Sequence, residues 1–221
     1  MSTAFKELLM IAIIDYQAGN QTSVKRAFES LGLASEITAD PEILKRADGI
    51  LFPGVGAAGQ AMNLLKNTGL DQVIKELAET RPFLGICLGC QIMLEDSQED
   101  GGIKTLGIIS GHNVRFDAGL TDEEGRSIRV PHMGWNNLRQ VKASALFEGL
   151  DKAAQFYFVH SYYPQPDPNY ILGITDYGLE FASVFGRDGL WATQFHPEKS
   201  GAAGLRILRN FHDYCARLKQ G

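Results

Sequence analysis

Residues 83–91 read Phe83-Leu84-Gly85-Ile86-Cys87-Leu88-Gly89-Cys90-Gln91. Phe83–Ile86 is a short apolar run of the kind that forms a strand buried on both faces, and Gln91–Glu95 directly after it is helix-like. Working outward, Met10–Asp15 (MIAIID) and Gly49–Phe52 (GILF, stopped by Pro53) are two more such runs. Between those two, Val24, Ala27, Phe28 and Leu31 fall at i, i+3, i+4 and i+7, a helical stripe ended by Gly32. Leu64 to Ala78 also predicts helix, with a break near Gly69. From Ala202 onward, Leu205, Leu208, Cys215 and Leu218 share a helical face that Ile207 and Phe211 widen. Strands alternating with helices call for a parallel sheet with crossovers, an α/β fold.

The middle of the chain differs. Val114–Phe116, Ile128–Val130, Phe156–Val159, Ile171–Thr175, Phe181–Phe185 and Leu190–Phe195 are short, β-branched and aromatic, around a polar turn-rich stretch at Asp117–Ser127. They predict an antiparallel extension of the parallel core. The chain has 221 residues, 44 % of them hydrophobic and 21 % charged, and a formal net charge of −5. That is enough chain for one domain with a real core, spanning 1–221 with a lead segment at 1–9, and it excludes a disordered or fibrous protein. A mildly acidic surface disfavours nucleic acid as the main partner. The longest apolar run, Leu8–Ile14, is far short of the ~20 residues that span a bilayer, so no membrane partner is expected. Three cysteines, Cys87, Cys90 and Cys215, are too few and odd in number for a disulfide framework, which fits a reducing, cytoplasmic setting.

The glycines of Gly85-Ile86-Cys87-Leu88-Gly89 form the pattern of a nucleophile elbow, where a strained strand-to-helix turn presents the central side chain. The helix start offers free N–H groups and a positive dipole end, both favouring thiolate. That help matters, because an unperturbed thiol with a pKa near ~8.5 is only about 3 % ionised at pH 7. Read alone, Cys87 also fits a small buried hydrophobe. Cys87-x-x-Cys90 also admits thiol–disulfide exchange or half a zinc site, although no second pair completes a metal site. A nucleophile needs a base and the base an orienter. Phe195-His196-Pro197-Glu198 supplies both, since residues i and i+2 of an extended segment project to one side; a surface turn is the plainer reading of the same residues. Pro53-Gly54-Val55-Gly56 offers main-chain N–H groups for a developing oxyanion, with the amide of Leu88 as the second donor. His112 and His212 read as surface or helix-face residues. His132 and His160 sit in aromatic stretches that suit a half-buried strand or a partner surface.

Together these residues resemble the class I (triad) glutamine amidotransferases, from about Met10 to Leu218. Gly85-x-Cys87-x-Gly89 with His196-Pro197-Glu198 carries the class. Pro53-Gly54-Val55-Gly56, Val130 to Asn136 (VPHMGWN) and Phe158 to Tyr163 (FVHSYY) narrow the resemblance to the glutaminase subunits of imidazole glycerol phosphate synthase. The resemblance implies a doubly wound, mostly parallel sheet flanked by helices and a Cys87–His196–Glu198 triad that hydrolyses glutamine through a glutamyl thioester. It implies glutamine contacts at Gln91, Glu99, Ser161 and Tyr162, and an oxyanion site at Leu88 and the Gly54, Val55, Gly56 loop. It implies no cofactor and no metal. The implied partner is a (β/α)8-barrel cyclase subunit, facing Trp135, Tyr157 and Lys199 in a heterodimer. That subunit joins channelled ammonia to a phosphoribulosyl-formimino aminoimidazole carboxamide nucleotide in histidine biosynthesis.

The sequence departs from that family's pattern at Cys90, usually methionine there, and the C-x-x-C spacing suggests an oxidative Cys87–Cys90 link. Two other readings stay open. One is a paralogous amidotransferase supplying ammonia for surface-sugar biosynthesis. The other is a C-x-x-C redox protein.

Overall fold

The computed structural model describes residues 9–17, 19–121 and 124–220. Most of the expected lead segment, and part of the Asp117–Ser127 stretch, therefore lie outside the described residues. In chain order the first half runs β1 (Ile11–Ile14), α1 (Gln21–Ser30), β2 (Ser35–Thr38), α2 (Pro41–Arg46), β3 (Gly49–Gly54), α3 (Ala58–Thr68), α4 (Leu70–Thr80), β4 (Phe83–Cys87) and α5 (Leu88–Ile92). The second half runs β5 (Asp96–Ser97), β6 (Ile103–Lys104), β7 (Gly111–Arg115), β8 (His132–Asn137), β9 (Arg139–Gln140), β10 (Gln155–His160), β11 (Tyr162–Pro166), β12 (Ile171–Asp176), β13 (Glu180–Arg187), β14 (Leu190–Thr193) and α6 (Gly201–Gln220).

The eight-stranded main sheet has the order β2-β1-β3-β4-β14-β13-β12-β9. Its first five strands are parallel and its last four antiparallel, with β14 belonging to both parts. Both faces of the parallel part are covered, which is why β1, β3 and β4 are apolar throughout rather than alternating. Alternate residues feed opposite cores. Ala12, Ile14, Ile50 and Phe52 pack with α3 and α4, whereas Ile11, Ile13, Leu51, Leu84 and Ile86 pack with α1 and α6. The doubly wound arrangement follows.

The helices obey local chemistry. Asp40 caps α2 by accepting from Glu42 N–H at 2.8 Å, with Pro41 in the first turn. Gly69, at φ +73°, takes the left-handed conformation that separates α3 from α4, where the sequence predicts the break. α6 lays Ile207, Leu208, Phe211 and Cys215 on the sheet.

The antiparallel part is not one extension. Besides β14-β13-β12-β9 there are a separate β8–β10 pair and a mixed four-stranded sheet, β11-β7-β5-β6, in which β5 and β7 run parallel. The strand expected at Ile128–Val130 does not form. Pro131 has no N–H to give a ladder, and regular pairing starts after it, at His132 opposite His160.

Gly89→Ala should be far more damaging than Gly69→Ala. A Cβ on Gly89 would sit 1.7 Å from the Phe52 carbonyl oxygen, whereas one on Gly69 meets nothing within 4 Å. We expect a loss of about 3 kcal/mol or more for the first, and about 1 kcal/mol for the second from its positive φ alone. Urea denaturation midpoints of the two variants check the ranking.

Candidate active site

Cys87 ends β4 and opens α5 with φ +52° and ψ −110°, a conformation that only a tightly determined surrounding sustains. The flanking glycines allow it. A Cβ on Gly85 would come within 2.4 Å of Met93 Sδ and 3.1 Å of the Cys90 main chain. The elbow is therefore formed by close approach of β3, β4 and α5, as the sequence pattern predicts.

The base arrives from the other end of the chain. β14 runs parallel beside β4, with Thr193 level with Ile86, so the residues just beyond Thr193 pass beside Cys87. His196 Nδ1 lies 2.8 Å from Glu198 Oε1, and both side chains are fully buried. Nδ1–H thus points to the carboxylate. Nε2, equally buried, is the nitrogen left for Cys87, which lines the same cavity. Burial alone would lower the imidazole pKa. The charge and hydrogen bonding of Cys87, then those of Glu198, outweigh that and raise it to about 10. The arrangement holds a charged imidazolium between Cys87 and Glu198.

The main chain around the base is clamped. His196 N–H donates to the Tyr157 carbonyl at 3.0 Å. Ser200 Oγ donates to the His196 carbonyl at 2.6 Å and accepts from Tyr157 N–H at 2.9 Å.

A cavity of about 320 Å³ opens over the sulfur. Val55, Gly56 and Leu88 line it, as do Gln91, Glu99, Ser161, Tyr162, Cys87 and His196. Gly54 is not on its wall. It pairs opposite Cys87 in register, and a Cβ there would strike the Tyr16 hydroxyl at 2.0 Å, so its role is to let β3 close on the elbow. Glu99 is partly committed elsewhere, because Oε2 accepts from Ala58 N–H at the start of α3 at 2.7 Å. Burial raises its pKa despite that bond, and the charge of Asp100 adds to the rise.

Trp135 and Tyr157 face each other across the β8–β10 pair with ring centroids 6.2 Å apart. Trp135 is 54 % exposed and its neighbour Met133 61 %, so this apolar face stands open beside the cavity. Lys199, next to Glu198, is exposed.

Several residues escaped the sequence reading. Asn20, just before α1, donates Nδ2–H to Glu198 Oε1 at 2.8 Å and lies 3.3 Å from His196 Nδ1. Nothing in its local pattern marks it. Gln194 reaches the Cys87 sulfur, and the i, i+2 argument that joined His196 to Glu198 applied to it equally. His132 and His160 lie on the half-buried strands β8 and β10, as the strand reading expects, with both rings on the buried side. They bond to one another at 3.1 Å (Nδ1 to Nε2), and His160 Nδ1 donates to the Tyr162 carbonyl at 2.8 Å.

Burial of Cys90 weighs against the C-x-x-C exchange reading. Cys87 and Cys90 are free thiols, and Cys90 is wholly buried. Burial, and then the charge of Cys87, push the Cys90 thiol well above its ordinary range. A resolving cysteine must reach the thiolate state, and this one is held protonated. Among the described residues no group of three or more His, Cys, Asp or Glu side chains is placed to hold a metal, and no helix is long and apolar enough to cross a membrane.

A family model described as glutamine amidotransferase class-I matches residues 12–214. The chain belongs to that family. This amidotransferase is 56 % identical over 212 residues to the imidazole glycerol phosphate synthase subunit HisH of Desulfovibrio desulfuricans, covering 96 % of this chain and 97 % of the relative. It is 57 % identical over 207 residues to the HisH subunit of Nitratidesulfovibrio vulgaris (strain Hildenborough), covering 93 % and 97 %. The solved structure of PurLQS from Thermotoga maritima superposes with a TM-score of 0.70 at 16 % identity, over 93 % of this chain and 98 % of that one. A second, titled glutamine amidotransferase, gives 0.69 at 18 %, over 93 % and 98 %. Likeness at that identity establishes the fold.

The buried histidine pair makes this amidotransferase acid-sensitive. Burial lowers the His132 pKa from 6.5 to about 4. Burial, helped by the charge of His132, lowers His160 to about 3. Both bind protons more readily unfolded than folded, so their contribution is complete above pH 6.5 and is lost as pH falls toward 4 and 3. His196, with its raised pKa, is charged in both states below pH 6.5 and adds no slope there. Stability by urea denaturation should fall by roughly 1.4 kcal/mol per pH unit for each neutral histidine, and less steeply in His160→Gln.

Proposed function

We propose that this chain is a single glutamine amidotransferase domain, residues 1–221, acting as the glutaminase subunit of imidazole glycerol phosphate synthase in histidine biosynthesis. The observation that carries the reading is Cys87 and His196 on one cavity with Glu198 buried against the far side of the imidazole, in a chain 57 % identical to a HisH subunit.

Cys87 Sγ attacks the side-chain amide carbon of glutamine. The oxyanion is met by Leu88 N–H and a main-chain N–H of Val55 or Gly56, because these residues line the cavity beside the sulfur. His196 Nε2–H gives its proton to the departing amide nitrogen, ammonia leaves, and a γ-glutamyl thioester remains. His196, now neutral, takes a proton from water. The hydroxide formed attacks the thioester, glutamate leaves, and the thiolate–imidazolium pair is restored. Glu198, held by Asn20, keeps Nδ1 protonated and Nε2 aimed at the reaction. Gln91, Glu99, Ser161 and Tyr162 line the space that glutamine would fill. These steps use side chains and main-chain amides alone, with no cofactor.

Ammonia set free in water at neutral pH is mostly protonated and ceases to be a nucleophile, so the product must be handed on directly. The partner we assign is a (β/α)8-barrel cyclase subunit in a heterodimer, seated on the open face of Trp135, Tyr157 and Lys199. It would use the ammonia to make imidazole glycerol phosphate and an aminoimidazole carboxamide nucleotide. The scheme is that of a cytoplasmic biosynthetic enzyme, with neither nucleic acid nor membrane as a partner.

Glutamate release, measured with and without the cognate cyclase and its nucleotide ligand, should be low for the subunit alone and rise in the loaded complex. Cys87→Ala should abolish it. No glutamate from the parent chain under any condition would overturn the assignment. Glu198→Gln should lower kcat by about two to four orders of magnitude, with KM for glutamine little changed, because only the imidazole's tautomer and charge are disturbed. Steady-state kinetics on the complex check this.

A further inference from the structure

We propose that Gln194 is a further catalytic residue, donating an amide N–H to the Cys87 sulfur, and that Cys90 is a positioning residue that fixes which end of that amide faces the nucleophile. The proposal deepens the glutaminase reading, since it rests on Cys87 being the nucleophile of that site.

Gln194 is completely buried. Its main chain is anchored just past β14 by N–H donation to the Ser183 carbonyl at 2.9 Å. The parallel register of β14 on β4 carries it beside Cys87. Its side chain has three polar neighbours: Gln91 Nε2 at 2.9 Å, Cys90 Sγ at 3.9 Å and Cys87 Sγ at 3.8 Å.

The orientation of the amide follows by elimination. The end of the Gln91 side chain that meets Gln194 also meets the Tyr162 carbonyl, at 2.8 Å. A carbonyl only accepts, so that end of Gln91 is its NH₂ group. The Gln194 atom facing Gln91 must therefore be the oxygen. The NH₂ group of Gln194 is left for Cys87, as a donor with no capacity to accept. Such a donor favours a thiolate over a thiol, because a hydrogen bond to an ionised acceptor is roughly twice as strong as one to a neutral acceptor.

Cys90 completes the lock. Held protonated by burial, it offers S–H to the same Gln194 oxygen. Flipping the amide would then set NH₂ against two donors and an oxygen lone pair against the thiolate. The second cysteine of the C-x-x-C is in this way absorbed into the site as a hydrogen-bond donor.

The test is the pH dependence of iodoacetamide alkylation at Cys87 in the full chain, read on the Cys87 peptide by mass spectrometry. Gln194→Met should raise the alkylation midpoint by about one pH unit, roughly tenfold less thiolate at a given pH, and lower kcat more than it changes KM. Cys90→Ala should shift the midpoint the same way by less, and Cys90→Ser, which keeps a donor, should recover most of the parent profile. Midpoints unchanged in both Gln194→Met and Cys90→Ala would overturn the proposal. A shift in the first alone would remove only the part assigned to Cys90. Should Gln194→Met fail to fold, the same measurement on Gln194→Leu decides the part assigned to Gln194. Alkylation needs no glutamine turnover, so a chain that showed the shift but released no glutamate would sink the glutaminase reading and leave the placement of Gln194 standing.

Discussion

The parallel pairing of β14 with β4 is the constraint on which the site depends. It sets Thr193 level with Ile86 and so delivers Gln194 and His196 to Cys87, although the Gln194–Cys87 contact spans 107 positions of sequence. Parallel strands need a long crossover, and here the whole antiparallel half of the molecule is threaded into it. The elbow depends on the same packing. The positive φ of Cys87 persists because Gly85 and Gly89 let β3, β4 and α5 approach closer than any Cβ allows.

The electrostatics follow from burial. An isolated imidazolium in this interior would lose its proton, and the neutral pair His132 and His160 show it. His196 escapes that outcome because Cys87 on one side and Glu198 on the other favour its charged form. Three buried histidines are therefore tuned in opposite directions, two of them, His160 and His196, on one cavity wall. One keeps its charge for proton transfer. The other two stay neutral, and His160 holds the Tyr162 carbonyl in place.

What could be read from the residues divides along physical lines. Ile11–Ile14, Gly49–Phe52 and Phe83–Ile86 announced themselves because a strand covered on both faces has no polar side to disguise it. The elbow and His196–Glu198 were legible because each is a local geometry with its own residue requirements. The β8–β10 pair and the four-stranded β11-β7-β5-β6 sheet were not, because pairing between distant short strands leaves no periodicity behind. Ile128–Val130 had the composition of a strand but is followed by Pro131 and joins no strand ladder among the described residues. Asn20 was invisible for the same reason: its value lies in Glu198, 178 positions away.

One residue ties two tasks together. The Tyr157 side chain stacks edge-on with Trp135 on the open face, while its main-chain N–H and carbonyl are both spent on the segment that carries His196, through Ser200 Oγ and His196 N–H. The exposed aromatic face and the buried imidazole thus share a single peptide backbone. Anyone retargeting this subunit to a foreign partner is confined to changing side chains there, since a redesigned loop or an inserted residue at that strand would drag the general base out of alignment with its sulfur.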